Sequence, residues 1–406
     1  MRELMPVEDY RGMVLAGIGT PEPSRVPLDD AYGCVPAAEL AAPGDLPPFP
    51  SSAMDGYAVR SFDVAGASAE HPVRLQVSSE VRMGFPASTA VTAGDAASVP
   101  TGGMLPEGAD TVVPVELCRL EAGTVLVTAP SPSGRNVRPA GEDLRRGEVL
   151  APIGRRLQGA DLGALAAGGF AFVEVFPRPR VAILSTGNEL IPPGGEPRAG
   201  QIFESNSFML RALVRSAGAA PSYAGHVPDD PGALIDAVSA AASGADLVVS
   251  SGGVSAGRDD PVKRAFAGSE SVRFVQVAVQ PGRPQAFGTW RGKPFFGLPG
   301  NPVAALVGFE LFVRPALNQM SGIETGPAYR EAVAAEGMEG SPDCVRYVPV
   351  KLCREGSVLV ASAEGGRRSN QLAKLARAGG LAEVPAGRDI QAGDPCRVIS
   401  LRSEDH

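Results

Sequence analysis

With 406 residues, 44% of them hydrophobic, the chain is too long for one compact core, so two to four domains are expected. Its 37 basic and 45 acidic residues give a net charge of −8, which argues against a generic nucleic-acid binder, a role that needs a basic surface. Five cysteines without a C-x-x-C pair, three scattered histidines and no apolar run near the roughly 20 residues that cross a bilayer argue against a disulfide framework, a two-histidine zinc motif and a membrane span, and lead to the expectation of a soluble cytoplasmic protein.

The 50 glycines and 38 prolines punctuate apolar segments, as turns do in a mixed α/β protein. In chain order, residues 7–18 read as a helix and 42–50 as a proline-rich lead-in. Residues 73–77 and 124–128 alternate apolar and polar side chains like half-buried strands, and the closely spaced Gly and Pro between them suggest a small β unit. A helix at 158–167 and a strand at 171–176 follow. From about Pro179 the pattern changes. A short apolar strand at 181–184 precedes a helix at 207–217, with Leu210, Leu213, Val214 and Ala217 on one face. Asp230-Pro231 supplies an N-cap and a first-turn proline to a helix carrying Leu234, Ile235 and Val238. Strands at 246–250, 272–279 and 294–298 come next, and Asn301-Pro302 opens a helix with Val303, Leu306, Val307 and Leu311 on one face. Strands alternating with helices predict a parallel sheet flanked by helices on both sides, with ligands at the carboxyl ends of its strands. Strand-like segments at 346–352, 357–361 and 395–401 predict a terminal β-barrel or sandwich.

The residues suited to chemistry fall in turns beside these strands, where active sites accumulate. Asp55 follows Pro47-Pro48-Phe49-Pro50 and precedes Gly56; it is either a presented carboxylate or the centre of a local Asx-turn. Thr101-Gly102-Gly103, with Glu107-Gly108-Ala109-Asp110 behind it, offers a hydroxyl beside backbone that a ligand can approach closely, or is an ordinary loop. Ser185-Thr186-Gly187-Asn188-Glu189 leaves a strand's carboxyl end and suits a phosphate or hydrated cation, with a merely solvated Glu189 as the alternative. The turn from Ser250 to Lys263 contains Ser251, Gly252, Gly253, Ser255 and Asp260. Its small residues let N–H groups crowd an anion ahead of a helix N-terminus. It is neither a Walker A loop nor G-x-G-x-x-G. Pro281-Gly282-Arg283-Pro284 and Pro299-Gly300-Asn301-Pro302 are turns made rigid by proline, with Asn301 placed to cap. Together these residues describe a site for a phosphate-bearing polyanion held through a divalent cation, with Glu189, Asp260, Lys263 and Arg283 on one sheet edge.

Taken in order, seven stretches resemble the molybdopterin molybdenumtransferases of the MoeA and gephyrin E-domain family. They are Ser-Ala-Met-Asp-Gly-Tyr-Ala at 52–58, Thr-Gly-Gly…Pro-x-Gly-Ala-Asp-x-Val-Val at 101–113, Gly-Glu-Asp at 141–143, Ser-Thr-Gly-x-Glu-Leu at 185–190, Ser-Ser-Gly-Gly-Val-Ser at 250–255, Pro-Gly-x-Pro at 281–284 and Gly-Leu-Pro-Gly-Asn-Pro-Val at 297–303. Any one is weakly specific; the ordered set over some three-fifths of the chain is very specific.

The resemblance implies a discontinuous N-terminal domain (1–44 and 139–178), an inserted β domain (45–138), an α/β molybdopterin-binding domain (179–322) and a C-terminal β-barrel (323–406). It implies a homodimer whose cleft joins the α/β domain of one subunit to the β domain of the other, so that Asp55 and Thr101 serve a distant sheet edge. The implied reaction takes adenylylated molybdopterin and molybdate and yields molybdenum cofactor and AMP, with Mg²⁺ or a similar divalent cation. By position, Asp55, Thr101, Glu189 and Asp260 take the catalytic role, with Glu189 and Asp260 as metal ligands. Asp143, Ser251, Gly252, Gly253, Ser255, Lys263, Pro281, Gly282, Arg283, Pro299, Gly300 and Asn301 bind substrate. A molybdopterin adenylyltransferase and molybdoenzyme acceptors are further implied partners. The sequence departs from the family pattern at Asn188, usually Asp, at Gln280 and Arg283, both usually Lys, and at Ala304, commonly Ser. A paralogue with altered oxyanion handling, an adenylyltransferase-like activity and a non-catalytic scaffold are the competing readings.

Overall fold

The computed structural model describes residues 4–254, 260–267, 269, 271–323, 326–364 and 370–402, with backbone alone at 223 and 224. Helix α1 (Val7–Ala16) carries Glu8 and Asp9 in its first turn, where they favour the helix dipole, and buries Val7, Tyr10 and Val14. These side chains join the core of a region distant in sequence, where the Tyr10 ring stands edge-on to Phe312 at 4.7 Å. Strand Phe172–Phe176 pairs with Ser24–Pro27 on one side and Val35–Pro36 on the other, so segments flanking the inserted β region share one sheet. Helix α2 (Gly159–Ala167) packs beside it and begins with a capping box between Gln158 and Asp161.

Between these flanks lie β1 (Gly56–Val59), β2 (Val73–Glu80), β3 (Asp95–Val99), β4 (Thr111–Pro114), β5 (Cys118–Glu121) and β6 (Thr124–Val127). They form one sheet in the order β4-β1-β3-β2-β6-β5, antiparallel except for β2 against β3. Leu75, Val113 and Val125 fill its core. Gly56 is required where β1 meets β4, because a Cβ there would lie 2.2 Å from the Val113 carbonyl oxygen.

The central region runs β7 (Arg180–Thr186), α3 (Asn206–Ser216), β8 (Ala220–Val227), α4 (Pro231–Gly244), β9 (Leu247–Ser251), β10 (Val272–Gln276), β11 (Pro284–Trp290), β12 (Lys293–Leu298) and α5 (Pro302–Gly308). Alternate residues of β7 enter opposite cores. Val181 and Ile183 meet Leu210 and Val214 of α3, while Ala182 and Leu184 meet Leu234 and Val238 of α4. The expected helices on both faces are present, but the sheet is mixed rather than wholly parallel. Its order is β8-β7-β9-β12-β11-β10, and only the first four strands are parallel. The sequence reading had no place for β8 or β11, which carry Pro221, Pro284 and Gly288 and so lack a clean strand pattern. Gly288 has a packing reason, since a Cβ there would sit 1.8 Å from the Ser271 carbonyl oxygen. The single strand expected at 272–279 is two strands, β10 and a short Val279–Gln280 that belongs to the next sheet. The helix expected after Asn301 runs on through a π-helical turn, Phe309–Val313, into α6 (Arg314–Met320).

Strands β13 (Tyr329–Ala334), β14 (Val345–Glu355), β15 (Val358–Ala363), β16 (Gly380–Val384) and β17 (Pro395–Ser400) follow in the order β14-β15-β13-β17-β16. The pairing of β16 back onto β14 closes them, which decides for a barrel over a sandwich. Among the described residues no helix is long and apolar enough to cross a membrane.

Candidate active-site cleft

At the carboxyl ends of β7, β9 and β12 opens a cleft of about 930 Å³. Each strand feeds it a different turn. β7 continues into Ser185, Thr186, Gly187 and Glu189; β9 into Ser251, Gly252 and Gly253; and β12 into Pro299, Gly300 and Asn301. Gly252 can take its turn only without a side chain: its φ is +97°, and a Cβ would lie 2.5 Å from the Thr186 carbonyl oxygen. Gly282 and Pro284 form part of the wall.

The turns are braced by side chains that the sequence reading passed over. Asp229, after β8, accepts from the Thr186 hydroxyl at 2.7 Å and from the Asn188 N–H at 3.1 Å, and the Asn188 side chain accepts from the Asp229 N–H at 3.1 Å. Glu204 is buried and accepts from the Ser185 hydroxyl at 2.8 Å and from the Ser207 N–H and hydroxyl at 2.8 and 2.6 Å. Asn206 donates from Nδ2 to the Ser251 hydroxyl at 2.8 Å and to the Gly300 carbonyl at 2.7 Å. Its Oδ1 is buried without a partner, as is Oδ2 of Asp260. The available signals were a carboxylate three residues ahead of a helical serine, and an Asp beside the Asp230 N-cap, whose Oδ1 does accept from Ala233 N–H at 2.8 Å.

Of the expected site residues, Glu189, Ser251, Gly252, Gly253, Asp260, Gly282, Pro299, Gly300 and Asn301 meet in this cleft. Lys263, Pro281 and Arg283 do not line it. The expected basic residues at the sheet edge are therefore not in the wall: Arg283 turns to the barrel side and donates to Asp343 Oδ1 at 3.0 Å. Ser255 lies outside the described residues. The helix after Asp260 is only Pro261–Ala265, a single turn whose aligned peptides add little dipole. Asn301 occupies the N-cap position of α5 but makes no side-chain cap bond, so its expected capping role is not seen. Among the described residues the wall carries four acidic side chains, Glu189, Glu204, Asp229 and Asp260, and no Lys or Arg.

Asp55 and Thr101 stand away from this cleft but together. Asp55 Oδ1 accepts from the Thr101 N–H at 2.7 Å and from its hydroxyl at 2.9 Å, so its bonds run to the distant loop rather than within a local Asx-turn. These bonds, the backbone one first, hold the Asp55 carboxyl below its ordinary pKa although the group is fully exposed. Ser52 and Gly103 exchange backbone contacts across the same two loops, with Ser52 N–H to Gly103 O at 2.9 Å and Gly102 N–H to Ser52 O at 2.8 Å. Met54 and Met83 are exposed beside them. Asp143 is exposed on a separate turn, whose backbone is held by N–H to Leu46 O at 3.0 Å. Asp110 of the second motif is a strut: it accepts from the Ser61 N–H at 2.6 Å and hydroxyl at 2.7 Å.

Three family models match in succession: the MoeA N-terminal region (domain I and II) over residues 5–169, a probable molybdopterin binding domain over 182–319, and the MoeA C-terminal region (domain IV) over 331–401. The chain is 37% identical to Molybdopterin molybdenumtransferase 2 of Mycobacterium tuberculosis, covering 97% of this chain and 99% of that one. It is 36% identical to the Molybdopterin molybdenumtransferase of a Nostoc species, over 93% of this chain and 88% of that one. A solved molybdopterin biosynthesis MoeA protein from Pyrococcus horikoshii superposes with a TM-score of 0.82 at 32% identity, covering 99% of this chain and 100% of that one. From the Gly-rich turns of its cleft to the closed barrel at its end, the chain belongs to the MoeA family of molybdopterin molybdenumtransferases.

Proposed function

We propose that this chain inserts molybdate into adenylylated molybdopterin, releasing AMP and the finished molybdenum cofactor; relatives of the chain are named molybdopterin molybdenumtransferases. The observation that carries the reading is the cleft wall: glycine-rich turns at three parallel strand ends, combined with carboxylates. The small residues Ser251, Gly252 and Gly253 let a phosphate approach the backbone closely, with the Gly252 N–H itself held by the Leu298 carbonyl at 3.0 Å, and Pro299-Gly300-Asn301 shapes the opposite side.

A polyanion cannot settle against four acidic side chains without charge compensation, and the described wall has no basic side chain to provide it. A divalent cation resolves this. Among the described residues no group of three or more His, Cys, Asp or Glu forms a metal cage. Mg²⁺ takes one or two carboxylates and fills its shell with water and substrate phosphate. The buried, unpartnered Oδ2 of Asp260 is the acceptor such a site needs, and Glu189 is the second carboxylate. When bound, the ion offsets phosphate charge as the adenylyl phosphoanhydride breaks. Glu204 and Asp229 keep the first turn rigid through Ser185 and Thr186. Arg283, outside the wall, has its Nη2 engaged by Asp343.

The Asp55–Thr101 pair completes the site from a second copy of the chain, with Asp143 as a further substrate contact. Exposed methionines beside the pair give that surface an apolar rim. The divisions at residues 44/45, 138/139, 178/179 and 322/323, a cytoplasmic location, and contact with the preceding adenylyltransferase and with acceptor enzymes belong to the same proposal. The test is incubation of the protein with adenylylated molybdopterin, Mg²⁺ and molybdate while AMP and active cofactor are followed together. Release of both, abolished by EDTA, is expected. AMP release indifferent to EDTA removes the cation, and ATP-dependent adenylylation of molybdopterin in its place overturns the transfer.

A further inference from the structure

Asn206 holds a group that nothing in the transfer reaction has yet used. Its amide orientation is fixed. The Gly300 carbonyl can only accept, so the atom 2.7 Å from it is the NH₂ nitrogen. The second amide proton goes to the Ser251 hydroxyl at 2.8 Å, whose own proton goes to the Pro299 carbonyl at 3.3 Å. Both donors of Asn206 therefore tie α3 to the turns after β9 and β12, and its oxygen must face the other way. That oxygen is buried, lacks a partner, and belongs to a residue that lines the cleft. A carbonyl oxygen placed so needs a hydrogen-bond donor, and buried acceptors without one are rare.

We propose that Asn206 selects the substrate by accepting a hydrogen bond from an amino group of its heteroaromatic portion. The inference rests on the proposed transfer reaction, whose substrate carries such donors at two places, the amino–imino edge of the pterin and the amino group of adenine. Ligand pairs that differ in that donor separate the two sources: 6-hydroxymethylpterin against 6-hydroxymethyllumazine, and AMP against inosine monophosphate. In each pair an oxo group replaces the amino group.

The experiment is calorimetric titration of all four ligands, with Mg²⁺ present, into the wild type, Asn206→Ala and Asn206→Asp. The wild type is expected to prefer the amino member of one pair by roughly five- to tenfold, the worth of one hydrogen bond. Asn206→Ala erases that preference, whereas Asn206→Asp, which keeps an acceptor oxygen, retains it. Should Asn206→Ala fail to fold by circular dichroism, Asn206→Ser, which keeps a small polar side chain but no oxygen at the Oδ1 position, carries the same expectation of lost preference. Equal weakening of both members of each pair in Asn206→Ala, or a loss only of Mg²⁺ affinity, overturns the inference while leaving the transfer reaction standing. A wild type that binds none of the ligands and releases no AMP from adenylylated molybdopterin ends both.

Discussion

Asp55 shows how a fully exposed carboxylate is tuned by geometry alone. Two hydrogen bonds from Thr101 favour its charged form and lower its pKa. Because the folded value lies below the unfolded one, the contribution is complete above the unfolded pKa and disappears as pH falls through the folded value. Thr101→Val removes the hydroxyl bond but keeps the backbone one, so the Asp55 pKa rises part of the way toward its ordinary value. NMR titration of the side-chain carboxyl reads this, and an unmoved midpoint would assign the whole effect to the backbone. Glu204 is the opposite case, a buried acidic group serving three donors. Glu204→Ala strands them and lowers stability by about 3 kcal/mol, read from the urea midpoint at constant m. Asp55 and Thr101 were both visible in the sequence as polar residues in glycine-rich turns. The bond between them was not, because it joins positions 46 residues apart and no local pattern encodes such a closure. Asp229 stayed hidden for another reason: with β8 unrecognised, the strand end that presents it had no place in the reading.

At the level of elements, the strands that build the cleft were legible where burial is complete. β9 is buried from Leu247 to Ser251 and reads as an unbroken apolar-to-small run. β8 and β11 carry proline and glycine and depend on tertiary pairing, which is why a parallel sheet was expected where a mixed one forms. The turn after β9 is equally a matter of backbone. Gly252→Ala forces a left-handed conformation on a residue with a side chain and drives its methyl into the Thr186 carbonyl. The expected cost is about 2 kcal/mol or more. Ligand affinity should fall with it, measured by calorimetry with AMP. A variant as stable and as avid as wild type would show that the turn relaxes freely.

For the whole molecule, the order of seven short motifs gave the family, and the closed barrel and the two-faced central sheet match what that family implied. The lateral arrangement of the units was not legible, since the expected divisions near residues 44, 138 and 178 fall in proline-containing segments without periodicity. The proposed site, assembled from two chains, makes a simple demand. Asp55→Asn and Asp260→Asn are each expected to abolish AMP release as pure preparations. Unfolded together and refolded as mixtures, they should regain about a quarter of wild-type turnover, because half the random dimers are mixed and each has one intact cleft. No recovery, with mixed dimers demonstrated by mass, would place both residues in one chain's site. Met5 adds a constraint of a different kind. Its N–H donates to Gln276 O and its carbonyl accepts from Ala278 N–H, both at 2.8 Å, where the chain passes from the central sheet into the barrel. The residues that follow Met5 place Tyr10 and Val14 inside the central core. The amino-terminal peptide is thus a keystone for regions that begin more than 170 residues later, and scissors set at the sequence boundaries would pull it out. An excised piece starting near residue 179 is expected to expose the core surface that Tyr10 and Val14 cover and to aggregate, while the same piece supplied with a peptide of residues 1–18 should stay dispersed in light scattering.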